Sequence, residues 1–182
     1  MQRIAEFEKV SFEQFKKDCM NRLPYCLPEY YKMTQTEIEQ AIQKAYDTVT
    51  IPKRSTSGSA GYDFVSPFAL SLQPQQGAYV PTGIRCRFNA EGWVLMIYPR
   101  SSLGINNRMQ LDNSTGIIDA DYYYAQNEGH IMAKITNDTK IATTLQIPEG
   151  GRFIQGVFTP YGITESDDAT ETRTGGIGST GV

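Results

Sequence analysis

The sequence predicts an all-β domain, a jelly-roll-like β-barrel, with a short helical extension before it and a Gly-rich arm after it. Three observations predict this. Ile84-Arg85-Cys86-Arg87-Phe88 alternates strictly, as a half-buried strand does. Residues 93–98 (WVLMIY) form an unbroken apolar run bounded by Gly92 and Pro99. Turn-rich stretches at residues 73–77, 89–92 and 148–151 punctuate such runs, a rhythm of short strands that suits a barrel or sandwich.

Residues 1–47 read differently, as helical. Ser11 precedes Gln14 by three, and Thr34 precedes Glu37 by three, both fitting a capping box. Phe12, Phe15, Cys19 and Leu23 follow the first cap at helical spacing, and Ile38, Ala41, Ile42 and Ala45 follow the second. Pro24 and Pro28 between them rule out one continuous helix, so a helical hairpin or arm is expected. Residues 48–163 carry the strand signals, with residues 130–136 and 153–158 as further strands. Residues 164–182 hold few large apolar side chains and many Gly, Thr and Ser, so on composition they read as a frayed terminus, one that could order on a ligand.

The 182 residues suffice for one domain with a sizeable core. With a net charge of −3 and 20% charged residues there is no basic excess for duplex nucleic acid. The N-terminus lacks an apolar signal stretch, and no run approaches the roughly 20 apolar residues that span a bilayer. A soluble, cytoplasmic protein without a nucleic-acid or membrane partner is expected. Cys19, Cys26 and Cys86 leave one thiol unpaired under any intramolecular scheme and lack zinc-site spacing, so they read as reduced.

The chemistry lies in five polar, Gly-rich segments between strands, where a rigid scaffold commonly carries its binding residues. Arg100, Arg152 and Arg173 offer guanidinium forks that match phosphate oxygens. Ser101, Ser102, Ser179 and Thr180 add hydroxyls, and the glycines let backbone approach a phosphate closely. Asp119 follows Gly116-Ile117-Ile118, where an acid could face a pocket and orient water; Asp121 and Asp63 compete for that role. His130 is the single histidine, lies in an expected strand and reads as structural, which removes His-based triads. There is no P-loop. The residues alone indicate a β-fold that binds a small phosphorylated ligand.

Taken in order, the segments resemble the five motifs of the trimeric dUTPases (deoxyuridine 5'-triphosphate nucleotidohydrolases). They are Ser57-Gly58-Ser59-Ala60-Gly61-Tyr62-Asp63, Pro99-Arg100-Ser101-Ser102, residues 113–122 (NSTGIIDADY), Gly151-Arg152-Phe153-Ile154-Gln155 and residues 175–181 (GGIGSTG). The resemblance implies hydrolysis of dUTP to dUMP and pyrophosphate, keeping uracil out of DNA and supplying dUMP for dTMP synthesis. Asp119 would activate the water that attacks the α-phosphorus. Asn113 and backbone at Gly116 and Ile118 would read uracil, Tyr122 would stack beneath the deoxyribose, and Met132 would be a further substrate contact. Arg100, Ser101, Ser102 and Gln155 would hold phosphates. The C-terminal arm would close over the site through Arg173, Ile177, Gly178, Ser179 and Thr180. Mg2+ would be held by the triphosphate and waters rather than by side chains, with Asp63 at most behind it. A homotrimer sharing each site between chains is implied.

The chain departs from the family pattern in three places. Residues 123–128 (YYAQNE) stand as an insertion between Tyr122 and Gly129. Ile177 replaces the aromatic expected to stack over uracil, which predicts weaker substrate closure. Arg173 stands two residues before Gly175, one closer than expected. Two alternatives accompany the main reading: a dCTP deaminase-like enzyme of the same fold, which would need a glutamate base where Asp119 stands, and binding of a repressor protein through the nucleotide site.

Overall fold

The computed structural model describes residues 2–171 and residue 175. Within them the strands are β1 (Ala5–Lys9), β2 (Lys53–Arg54), β3 (Tyr62–Val65), β4 (Leu70–Leu72), β5 (Gly77–Phe88), β6 (Trp93–Pro99), β7 (Met109–Leu111), β8 (Gly116–Ile118), β9 (Ile131–Asn137), β10 (Leu145–Ile147) and β11 (Arg152–Pro160). The α-helices are α1 (Phe12–Met20), α2 (Leu23–Cys26), α3 (Gln35–Thr48) and α4 (Ser101–Asn107). Short 3-10 turns occur at Tyr30–Lys32 and Ala120–Tyr124. Among the described residues the ladders form a sheet β1-β5-β9-β7, a sheet β2-β3-β11-β6-β8 and a ribbon β10-β4. The predicted all-β class holds.

Every strand predicted from alternation or an apolar run is present, and the three predicted turns fall between strands. Gly92 and Gly150 take positive φ in two of those turns, where a side chain would be strained. Strand β5 carries a bulge between Pro81 and Ile84, where its pairing with β9 shifts register. Gly83 sits in that bulge at φ +74, and a Cβ there would lie 2.7 Å from Val49 Cγ2. The buried Thr82 hydroxyl donates to the Ile131 carbonyl at 2.6 Å and so ties the bulge to β9.

The N-terminal region corrects the sequence reading. Residues 5–9 are not helical but form β1, an edge strand antiparallel to β5. The register sets Glu6 opposite Arg87 and Glu8 opposite Arg85, so charges of opposite sign face each other across the ladder. Arg85 reaches Glu8 at 2.9 Å, and Arg87 pairs with both Glu6 and Glu8. Helices α1 and α3 form as predicted. Thr34 caps α3 with a complete capping box: its hydroxyl accepts the Glu37 N–H, and the Glu37 carboxylate accepts the Thr34 N–H. Ser11 caps α1 by accepting the Gln14 N–H, but the Gln14 side chain turns instead to Asp18.

Nor is this region a free arm. Phe15, Cys19 and Ile42 are fully buried in the same core cluster as Phe64, Leu95, Ile135 and Phe153. Burying a side chain the size of Phe15 contributes about 2–3 kcal/mol. All three cysteines are free and buried; burial pushes the Cys86 thiol up to about 12.

Candidate functional site

Strand β8 has only three residues, Gly116, Ile117 and Ile118, and pairs with β6 along one edge. It is the last strand of its sheet, so its other edge offers backbone N–H and C=O groups to a ligand. Gly116 is needed there, because a Cβ would lie 3.0 Å from Ile97 Cβ. Strand β7, just before, belongs to the other sheet and pairs with β9. The chain therefore crosses between sheets at Asp112–Asn113, and a cavity of about 320 Å³ opens at the crossing. Asn113, Gly116, Ile118 and Met132 all line it, together with Tyr79, Ile97 and Leu111. Its size and its mix of apolar wall and polar backbone suit a single flat base.

The two charged lining residues, Asp112 and Lys134, escaped the sequence reading. Lys134 pairs with Asp112 at 2.9 Å, and the Thr136 hydroxyl donates to the same carboxylate at 2.6 Å. Burial pulls the Asp112 carboxyl upward, but Thr136 and Lys134 outweigh it and hold it below its ordinary value. This cluster fixes the turn that presents Asn113. The available signal was the alternation of β9, which places Met132, Lys134 and Thr136 on one face.

Asp119 follows β8 directly. It is exposed and caps the 3-10 turn Ala120–Tyr124, its carbonyl accepting the Tyr122 N–H at 3.2 Å. Tyr122, expected to stack beneath the deoxyribose, is buried beside this turn. The ring is only 2% exposed and does not line the cavity. Its hydroxyl donates to the His130 carbonyl at 2.8 Å and accepts from Asn127 Nδ2 at 2.7 Å. Core packing and these bonds hold the ring inside, so a broad face for sugar stacking is not displayed.

The expected phosphate ligands gather in a second cluster, built on β11. Gln155 is paired with Asp63 of β3 on one side and with Tyr98 of β6 on the other. That register brings the first, second and fourth segments together. Asp63 accepts from Arg152 at 3.0 Å and from the Ser55 hydroxyl at 2.9 Å, and Arg100 Nε lies 4.0 Å from it. Asp63 is thus an anchor for two guanidinium groups. The Gln155 amide donates to the Pro99 carbonyl at 3.2 Å. Gly61 must be glycine for this arrangement, since a Cβ would fall 2.6 Å from Gln155 Oε1. Ser101 and Ser102 are exposed on the first turn of α4, which Arg100 caps.

Among the described residues the base-sized cavity and the phosphate cluster do not merge: Arg100, Ser101, Ser102 and Gln155 are absent from the cavity lining. A larger cavity, about 570 Å³, opens between Arg3, Arg54 and the loop at residues 57–60, but holds none of the expected ligands. Arg173, Ile177, Gly178, Ser179 and Thr180 lie outside the described residues. Among the described residues no group of three or more His, Cys, Asp or Glu could hold a metal ion, and no helix is long and apolar enough to cross a membrane.

Comparison with known proteins points to one family. The dUTPase family model matches residues 47–181. The chain is 41% identical over 137 residues to the deoxyuridine 5'-triphosphate nucleotidohydrolase of Lactococcus lactis subsp. lactis (strain IL1403), covering 74% of this chain and 89% of that protein. It is similar in structure to the dUTPase from Streptococcus mutans, with a TM-score of 0.55 and 35% identity over 66% of this chain and 91% of that one. The dUTPase of Staphylococcus bacteriophage 80alpha, solved with dUPNHPP, gives a TM-score of 0.54 and 25% identity, covering 74% and 94%. That protein is described as one of the phage dUTPases that control transfer of virulence genes by a proto-oncogenic G protein-like mechanism.

Proposed function

Because the chain belongs to the dUTPase family, we propose that it hydrolyses dUTP to dUMP and pyrophosphate, with Asp119 activating the attacking water. One observation carries this reading. Asn113, Gly116, Ile118 and Met132 surround a base-sized cavity, and Asp119 follows Ile118 in the chain. Uracil bound against the open edge of β8 meets backbone donors and acceptors and the Asn113 amide. The attached α-phosphate then lies toward the exposed Asp119 carboxylate, a general base for water.

The phosphate cluster supplies charge. Arg100, Ser101, Ser102 and Gln155 offer donors to oxygens whose charge grows during attack. Asp63 aims Arg152 and Arg100, and its own oxygens are committed to them and to Ser55. Such a donor set suits a substrate that brings its own hard cation. Mg2+ would be held by the triphosphate and waters, with Asp63 behind it, and when bound would offset phosphate charge.

The separation of base cavity and phosphate cluster within the chain supports a homotrimer in which neighbouring chains complete each site. The arm carrying Arg173, Ile177, Gly178, Ser179 and Thr180 would close it and exclude bulk water. A cytoplasmic enzyme of nucleotide metabolism fits this reading.

Pyrophosphate release from dUTP, dCTP, dTTP and UTP by wild type and Asp119→Asn tests it. Wild type should favour dUTP, and Asp119→Asn should lose on the order of 10²–10⁴ in kcat. Full activity in the variant refutes the assigned base. Ammonia release from dCTP would instead indicate the deaminase-like alternative.

A second reading concerns a regulatory partner such as a repressor, bound through the nucleotide site. It is favoured by Tyr124, 74% exposed on the insertion after the base, and by the gene-transfer control described for the phage 80alpha relative. Repressor co-purification that dUPNHPP abolishes would support it. Equal retention with and without the nucleotide would count against it.

A further inference from the structure

The N-terminal region and the insertion at residues 123–128 are the two additions to the family pattern, and they grip each other. Glu128 accepts the Ser11 N–H at 2.8 Å and the Ser11 hydroxyl at 2.6 Å. The Tyr123 hydroxyl donates to Glu8 at 2.9 Å, while the Arg85 guanidinium lies over its ring at 4.6 Å. Just beyond the insertion, His130 Nδ1 donates to Asp18 at 2.7 Å, because its Nε2 already accepts the Gly83 N–H at 2.8 Å. Three residues of the N-terminal region, Glu8, Ser11 and Asp18, thus hold three residues of the segment after Asp119.

That segment is itself a run of tight turns. Tyr122 N–H donates to the Asp119 carbonyl, Ala125 N–H to Tyr122, Glu128 N–H to Ala125 and His130 N–H to Asn127. Glu128 takes φ +57, an unfavourable conformation for a residue with a side chain, and Gly129 follows at φ +67. A Cβ at Gly129 would lie 2.7 Å from the Tyr122 carbonyl oxygen, so the segment folds back closely onto the turn that Asp119 caps. The Ser11 contacts offset the strain at Glu128. A displacement at this end therefore passes through covalent and hydrogen-bonded turns to Asp119, with no long flexible loop between.

We propose that Ser11 and Glu128, with Glu8 and Tyr123 beside them, are positioning residues for Asp119: the N-terminal region acts as a splint that fixes the catalytic turn from behind. This rests on the assignment of Asp119 as the base. None of the four residues lines the base-sized cavity or belongs to the phosphate cluster, so their loss leaves the nucleotide contacts in place.

The test is steady-state kinetics of dUTP hydrolysis by the full-length chain with Ser11→Ala, Ser11→Thr, Glu128→Gln, Tyr123→Phe and Asp119→Asn. Ser11→Ala and Glu128→Gln should each lower kcat by about 10-fold with KM changed less than about twofold, since a misplaced base affects the chemical step rather than ground-state binding. The Ser11→Ala/Glu128→Gln double variant should lose less than the two single variants together, because the hydroxyl–carboxylate bond that Ser11→Ala removes also involves Glu128. Ser11→Thr keeps the hydroxyl and should restore kcat. Tyr123→Phe removes only a hydroxyl; its lowered kcat carries the test should the Ser11 or Glu128 variants fail to fold. If Asp119→Asn is inactive while Ser11→Ala, Glu128→Gln and Tyr123→Phe keep wild-type kcat, the splint is refuted and the base stands. If Asp119→Asn keeps full activity, the base assignment fails and the splint falls with it.

Discussion

Asp18 and His130 meet at 2.7 Å in the core, 112 residues apart in sequence. With Nε2 of the imidazole accepting the Gly83 N–H, the ring proton sits on Nδ1 and points at the carboxylate. Asp18 also accepts from Gln14 at 2.7 Å and faces Arg22. Burial raises the Asp18 carboxyl, but His130, Gln14 and Arg22 outweigh it and hold it below its ordinary value. A histidine read from sequence as structural is therefore the hub joining the N-terminal helix to the bulge of β5.

Removing that carboxylate should cost stability. Asp18→Ala leaves the His130 Nδ1–H buried without its acceptor, and a loss of about 3 kcal/mol is expected in urea unfolding. Asp18→Asn keeps an acceptor oxygen and should lose less. Equal stability of wild type and Asp18→Ala would show that the contact contributes nothing.

Acid should unfold the protein through the same contacts. For Asp18 and for Glu128, whose own upward pull from burial is overcome by Ser11, the folded carboxyl titrates below its ordinary value, 3.8 and 4.5 respectively. A depressed folded pKa adds stability above the ordinary value, and that stability is lost as pH falls through the folded one. The urea midpoint should hold steady from about pH 7 to about pH 5 and decline below about pH 4. Glu128→Gln should make the decline shallower; an unchanged slope would remove Glu128 from the account.

Two glycines should separate stability from activity. At Gly61 an added Cβ meets only Gln155 Oε1, the end of a flexible side chain. Gly61→Ala should cost less than about 1 kcal/mol yet push Gln155 from its place, lowering kcat/KM for dUTP. At Gly129 the added atom meets the Tyr122 and Tyr123 backbone at 2.7 Å, at a φ of +67. Gly129→Ala should cost about 2 kcal/mol or more in thermal or urea unfolding. The reverse ranking in stability would contradict the geometry.

Asn113 should matter to binding of the base. Asn113→Ala removes an amide at the cavity and should reduce kcat/KM for dUTP about 10- to 100-fold, mostly through KM, consistent with one lost hydrogen-bond partner. Discrimination against dCTP should weaken in parallel. Unchanged KM would place uracil elsewhere.

The β-fold was legible because its strands announce themselves. Ile84-Arg85-Cys86-Arg87-Phe88 alternates and lies in β5, and the run at residues 93–98 lies in β6. The cavity residues were legible because they are contiguous or one strand away: Asn113, Gly116 and Ile118 frame β8, and Met132 lies on β9. Strand β1 was missed although Glu6 and Glu8 alternate with Ala5, Phe7 and Lys9, a period of two. Its five residues are too few for that period to stand out beside the helical spacing that follows. The burial of Tyr122 was not legible, because it depends on His130 and Asn127, which no local pattern ties to it. Tyr123, Glu128 and His130, which Glu8, Ser11 and Asp18 meet, lie more than a hundred residues away, and no local spacing encodes them.

The clasp between Ser11 and Glu128 also constrains how such a chain can be recombined. Transplanted alone into a relative, the insertion would bring a glutamate in a left-handed backbone conformation with no serine to meet it. The N-terminal region, moved alone, would carry a Ser11 without its carboxylate acceptor and a Glu8 without the Tyr123 hydroxyl. Chimeras should tolerate the two together and reject either separately, so two gene segments more than a hundred codons apart should be inherited as one trait.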